Sequence, residues 1–236
     1  MPHPMRWLLV MSLAVGLQGC ATVANPNPQD PFESMNRTVY GFNDAVDRAV
    51  LKPVATAYKK TLPSWTRTGI NNFFANLDDV WTAINSALTL RGEAFGDSVG
   101  RVMVNTTIGM VGLIDVASDL NIDKHKANFN TTLGRWGVGA GPYVVLPFLG
   151  PYTLREVGAL PVDSKGNLVN QVSDEGTRTG LTVVDAVDTR AGFLESESVV
   201  NGAALDRYSF IRDSYLQRQR YQVYDGNPPD EEPQEP

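Results

Sequence analysis

The chain is poor in the residues most chemistry relies on. Among 236 residues there is one cysteine, Cys20, and two histidines, His3 and His125. A single cysteine cannot close an internal disulfide. A zinc site needs several thiolate or imidazole ligands, and this supply is too small. Positive charge is also scarce: 20 Lys and Arg stand against 26 Asp and Glu, a net charge of −6. Nucleic-acid binding needs a basic face, so the balance argues against that ligand class. No Walker lysine motif occurs, and the glycines at 134, 137, 139 and 141 lack the dinucleotide-binding spacing. Long apolar runs are missing too. The run Leu8 to Leu17, LLVMSLAVGL, is too short to span a bilayer, which needs about 20 apolar residues.

That run has a different use. Arg6 precedes it, and Leu17-Gln18-Gly19-Cys20 follows it. A positive start, a short apolar stretch and a small residue before the cut make a secretory signal over residues 1–19. The ending resembles a bacterial lipobox, although Gln18 is unusual there. The expectation is cleavage before Cys20 and acylation of that residue. Ala21 in the next position, rather than aspartate, favours the outer membrane. Residues 20–31 carry three prolines among small polar residues and read as a flexible tether.

The remaining chain is mostly helical in pattern. Met35, Val39, Phe42, Val46 and Ala49 form one apolar stripe over residues 32–50, and Pro53 should end or kink that helix. Ser64 is a candidate N-cap after Pro63. Residues 64–90 follow, with an aromatic-rich face of Trp65, Ile70, Phe73, Phe74, Leu77, Val80, Trp81, Ile84 and Leu88. Helix resumes over 93–108, and 109–120 is apolar and glycine-broken. Residues 121–133 are polar, and 161–167 reads as a turn. Helices are expected over 168–190 and 195–222, before an acidic, proline-rich tail. Two readings fit this all-α pattern: a soluble bundle, or short interfacial helices lying in one membrane leaflet.

One stretch departs from helix altogether. From Gly134 to Glu156 the chain reads GRWGVGAGPYVVLPFLGPYTLRE. Glycine frees the backbone and proline removes donors, so no helix survives there. The residues between the breakers are apolar, so an extended hairpin or a kinked re-entrant loop is expected, covered by protein or lipid.

Catalytic signals are thin. Gly96-Asp97-Ser98-Val99-Gly100 matches the nucleophile-elbow pattern of hydrolases, which would make Ser98 a lipase nucleophile. Yet the flanking apolar spacing puts Ser98 inside a helix, and His125, the one available base, sits between Lys124 and Lys126 in a polar loop. Asp78 and Asp79 are adjacent, so on a helix they diverge, and a solvated face is the simpler reading. No catalytic residue, metal or cofactor is expected.

DPFESMNRTVYGFNDAVDRAVLKPVA (30–55) and GVGAGPYVVLPFLGPYTLRE (137–156), together with the lipobox, tether and acidic tail, resemble the MlaA (VacJ) family of outer-membrane lipoproteins. The resemblance covers roughly residues 30–220. It implies an MlaA-like helical domain over 32–222, followed by a disordered tail over 223–236. The implied fold is a ring of helices in the inner leaflet around an amphipathic channel. The implied role is removal of misplaced phospholipid from the outer leaflet, with trimeric porins and the periplasmic lipid carrier MlaC as partners. The alternative is a structural lipoprotein that only tethers partners. Gly139, Gly141, Pro142, Tyr143, Leu146 and Pro147 resemble the family's channel hairpin, and Phe42 and Asn43 a segment that governs opening.

Overall fold

The computed structural model describes residues 27–203 and 205–229. The signal, Cys20, most of the tether and the end of the tail lie outside the described residues.

Helix α1 (Glu33–Val46) runs through a π-helical turn (Asp47–Leu51) into α2 (Lys52–Thr61). Pro53 therefore does not end the helix. The π turn bonds the Lys52 N–H to the Asp47 carbonyl. Pro53 then lies in the first turn of α2, where its missing donor costs little. Helix α3 (Ser64–Leu88) starts at Ser64, with Pro63 as the uncapped flanking residue, so Ser64 is not an N-cap. Helix α4 (Gly92–Thr107) folds back against α3 across a short turn.

Next come a short helix, α5 (Val116–Asp119), and α6 (Phe129–Arg135). Sequence periodicity does not reveal α6, because it is only two turns long. Its start is set locally. The Asn128 side chain accepts from the Thr131 N–H at 2.9 Å, and the Thr131 hydroxyl accepts from the Asn128 N–H at 2.9 Å.

The Gly/Pro-rich stretch forms strands β1 (Tyr143–Leu146) and β2 (Gly150–Thr153), paired antiparallel with Tyr143 opposite Thr153 and Leu146 opposite Gly150. Helix α7 (Leu154–Gly166) follows and continues through Pro161, so residues 161–167 are not the expected turn. Tertiary contacts hold this end in helix. The Trp81 indole N–H and the Phe129 N–H both donate to Asp163 Oδ1, each at 2.7 Å. Gly166 lies against the Trp81 ring so closely that a Cβ would sit 2.3 Å from it. A 3₁₀ turn (Leu168–Gln171) leads to one long helix, α8 (Glu175–Ala203), and then α9 (Arg207–Val223). The expected helices at 168–190 and 195–222 thus divide at a different place.

Polarity is distributed unusually. Of the expected apolar stripe on α1, Met35 is 51 % exposed and Phe42 46 %, while Glu33 and Asn36 are buried. On α3 the aromatic face is mostly outward or half-buried. Phe74 is its one buried member, beside buried Asn76, Asp79, Thr82, Asn85 and Ser86. Ile108, Met110, Val111, Leu113, Ile114 and Leu120 are exposed in and around the loop before α5 and at its end. The interior between α3 and α4 is built from small and polar side chains, as where helices approach closely in lipid. No described helix is long and apolar enough to cross a membrane. A compact apolar cluster does exist where β1 meets α9: Tyr143, Val145, Tyr208 and Tyr215, flanked by Val39, Tyr40 and Leu216.

Candidate functional site

The outer edge of β1 is held by side chains of α1. Asn36 Nδ2 donates to the Tyr143 carbonyl at 3.0 Å, and Asn36 Oδ1 accepts from the Val145 N–H at 2.8 Å. Asn43, two helical turns later on the same face, repeats the arrangement. Its Nδ2 donates to the Leu146 carbonyl at 2.9 Å and its Oδ1 accepts from the Phe148 N–H at 2.8 Å. Each amide copies the donor–acceptor pair of a neighbouring strand, so α1 stands in for a third strand. The Phe42 ring meets the Phe148 ring edge-on, with centroids 5.1 Å apart. Phe42 and Asn43 are therefore brought onto the hairpin tip. At the other end, the Pro142 carbonyl accepts from the Leu154 N–H at 2.9 Å, and Gly141 takes φ +69°.

The first motif explains itself as a brace. Asp30 is buried and accepts from Asn36 Nδ2 at 2.8 Å, from the Tyr208 hydroxyl at 2.5 Å and from Arg212 Nη1 at 3.3 Å. Glu33 takes Arg37 at 2.7 Å, and Arg37 reaches Asp206 before α9 at 2.5 Å. The ordered body therefore already includes Asp30, and the tether ends earlier than residue 31. Asp225, within the expected tail, pairs with Arg91 at 2.7 Å and Arg135 at 2.6 Å.

A cavity of about 790 Å³ opens between α3, α8 and the 124–128 segment. Its wall mixes Phe74, Ala75, Trp81 and Phe193 with Asn71, Asp78, Lys126, Asp185 and Thr189. Asp78 is open to the cavity's solvent yet encircled by protein. Burial, and then the Asp185 charge, raise its pKa. Within the same wall, Arg101 joins the helices. It donates to Asp79 at 3.3 Å, to both oxygens of Asp115 at 2.8 Å and to the Ile122 carbonyl at 2.8 Å. Asp79 also takes Lys124 at 2.6 Å, so it lies in a buried ion-pair network rather than on a solvated face.

The hairpin residues do not wall this cavity. Gly139 borders a second cleft, of about 310 Å³, between the hairpin base and α9. Tyr143 is 1 % exposed and packs among protein side chains, so it meets neither lipid nor a lumen. Gly141 and Pro147 are exposed, Pro142 and Leu146 half-buried. Sequence pattern alone does not mark Asn36, Asp30 or Arg155 as site residues. Polar residues spaced along an otherwise amphipathic helix were the available signal for Asn36.

The hydrolase pattern is not a nucleophile elbow. Ser98 lies within α4, is fully buried, and its hydroxyl has no hydrogen-bond partner among the described residues. His125 is not an exposed loop residue either: its Nε2 is 2.8 Å from Asp97 Oδ2.

Comparison with known proteins places this architecture. The family model described as MlaA lipoprotein matches residues 28–222. The “Intermembrane phospholipid transport system lipoprotein MlaA” of Escherichia coli (strain K12) is 34 % identical over 222 residues, covering 89 % of this chain and 87 % of that protein. The protein of the same name from Haemophilus influenzae is 32 % identical, covering 93 % and 90 %. A solved structure reported as “Structural basis for maintenance of bacterial outer membrane lipid asymmetry” superposes with a TM-score of 0.73 at 34 % identity. It covers 84 % of this chain and 99 % of that one. By family match, sequence identity and superposition alike, the chain belongs to the MlaA lipoprotein family.

Proposed function

We propose that this protein is a non-enzymatic passage for phospholipid at the outer membrane. It removes phospholipid from the outer leaflet and hands it to a periplasmic carrier. The single observation that carries this reading is the inverted distribution of polarity around the cavity: apolar side chains outward, polar side chains inward, and a mixed wall between α3 and α8. A ring lying in one leaflet meets acyl chains outside, so exposed Met35, Phe42, Trp65 and Met103 are at home there. A phospholipid crossing such a ring offers a charged headgroup and apolar tails. The wall offers Asp78, Lys126 and Asp185 to the first and Phe74 and Phe193 to the second. The names of the relatives, which place them in a phospholipid transport system, support the substrate class. Acylation at Cys20 would hold the protein to the inner leaflet, facing the periplasm. Trimeric porins and the carrier MlaC are the partners the family resemblance supports. The hairpin, clasped by Asn36 and Asn43, braces the ring beside α1, and Phe42 and Asn43 set how firmly its tip is held.

The test is genetic and direct. A deletion strain is assayed for phospholipid in the outer leaflet and for sensitivity to detergent with EDTA. Wild type and Ser98→Ala should restore asymmetry, and Cys20→Ala should not. Thr189→Trp places a large ring on an exposed cavity wall. It should abolish rescue while the protein remains anchored. Unchanged asymmetry in the deletion, or full rescue by Thr189→Trp, would remove the transport reading.

A further inference from the structure

The cleft at the hairpin base holds a feature that lipid passage through the larger cavity does not use. It is lined by Gly137, Val138, Gly139, Ala140, Arg155 and, from α9, Gln219 and Arg220 among others, and no carboxylate is among its described lining residues. In a chain of net charge −6 that is a local reversal of sign. Arg155 is the central group. Its Nε donates to Asn130 Oδ1 at 2.8 Å and its Nη1 to the Val138 carbonyl at 2.8 Å. Those bonds fix the guanidinium plane, and Nη2 has no partner among the described residues. Neither does the guanidinium have a carboxylate within ion-pair reach.

Among the described residues, the carboxylate whose charge acts on Arg155 is that of Glu156. Glu156, next in sequence, is bonded by the Tyr215 hydroxyl, and burial pushes its carboxyl up to about 7. Asp225 is divided between Arg91 and Arg135. Burial, and then Arg135, lower the pKa of Arg91. Burial also lowers that of Arg155, though an arginine stays protonated in a protein. The backbone adds donors. The N–H groups of Gly139, Ala140 and Gly141 make no hydrogen bond among the described residues, and Gly139 and Ala140 line the cleft. Successive unpaired amides beside a fixed guanidinium are the elements of an anion-binding concavity.

We propose that this cleft is an anion site for a phosphate group, and that its ligand is the phosphodiester of a lipid headgroup. The choice of a lipid as the source rests on the transport reading; the anion site does not. A phosphodiester offers two non-bridging oxygens that share one negative charge, one for Arg155 Nη2 and one for the 139–140 amides. A site between the hairpin base and α9 would hold a headgroup next to the hairpin while the tails stay in the leaflet.

The experiment is calorimetric titration of the purified full chain in a neutral detergent. One probe is glycerophosphoethanolamine, a soluble headgroup diester, and the other is inorganic phosphate. Two variants disrupt the site independently. Arg155→Gln removes the charge. Gly139→Glu places a competing carboxylate at the mouth, and a Cβ at Gly139 meets nothing within 4 Å, so the fold accommodates it. Gly158→Glu on exposed α7, where a Cβ is equally unobstructed, controls for added charge. The wild type and the control should bind the diester. Both site variants should bind it roughly tenfold more weakly or worse, the loss expected for one charged hydrogen bond. Wild-type affinity in Gly139→Glu, or no binding of either probe by the wild type, would overturn the anion site. Binding of inorganic phosphate without the diester would overturn the lipid assignment. The rescue assay with Thr189→Trp reports on transport separately, so failure of one reading is distinguishable from failure of the other.

Discussion

The two asparagines of α1 make the same pair of bonds in different surroundings, and that contrast yields a quantitative prediction. Asn36 is fully buried, and so are its partners at Tyr143 and Val145. Alanine at 36 strips the Val145 N–H of its acceptor and the Tyr143 carbonyl of its side-chain donor, where water cannot replace them. Asp30 loses one donor but keeps Tyr208 and Arg212. An orphaned buried group costs about 1–3 kcal/mol, so Asn36→Ala should cost about 3–5 kcal/mol in all. Asn43 is half-buried, and its partner Phe148 is 72 % exposed. Water can take over both bonds, so Asn43→Ala should cost about 1 kcal/mol or less. Denaturant unfolding of both variants in the same detergent measures the difference. Equal costs, or a larger cost at 43, would refute the argument that burial, not bond count, decides. Asn43→Ala should nonetheless alter lipid removal in the rescue assay, because it frees the hairpin tip without unfolding the brace.

Three further outcomes follow from other parts of the molecule. Arg101→Leu leaves buried Asp79 and nearby Asp115 without their shared cation and should cost about 3–5 kcal/mol by thermal unfolding. Glu156 has its folded pKa raised to about 7 from an ordinary 4.5, mainly by burial. Its contribution to stability is therefore present at low pH and is lost as pH rises from about 4.5 through 7. A loss of about 1–2 kcal/mol is expected after allowing for partial exposure. Melting curves of Glu156→Gln should lack that slope. Gly141→Val forces a β-branched residue to φ +69° and sets a Cβ 3.1 Å from Leu154 Cβ. About 2 kcal/mol of destabilisation and impaired lipid removal are expected, with the protein still anchored.

Much of the fold was legible because it depends on neighbours in sequence. The breakers between Gly137 and Gly150 left only extended backbone or a loop, although the ends of that stretch, Gly134–Arg135 and Leu154–Glu156, are helical in α6 and α7. The break between α3 and α4 falls at residues 89–91, where Leu90 takes a positive φ, and Gly92 already opens α4. Local reading failed where distant residues intervene. Pro161 and Gly166 read as a turn, but Trp81 and Phe129 hold Asp163 in helical position. The apolar spacing over residues 175–203 is too weak to mark one continuous helix, so the sequence places the division at 190–195 rather than after Ala203. Pro53 looks like a helix end or kink in sequence because spacing alone cannot show the π turn that absorbs it.

The site divides in the same way. Residue order alone determined that the chain carries few groups able to do chemistry, that α1 has two unlike faces, and that the motifs at 30–55 and 137–156 are those of its family. Periodicity separates the faces of a helix. It does not say which face is inside, because that depends on what surrounds the molecule. Assuming water outside puts Met35 and Phe42 in a core. In the tertiary structure they point outward, while Asn36 is buried on β1 and Asp79 is buried on Arg101. Only the packing of α3, α8 and the 124–128 segment decided that a polar cavity lies within. Only the packing of α9 on the hairpin base left Arg155 facing a cleft with no carboxylate among its described lining residues.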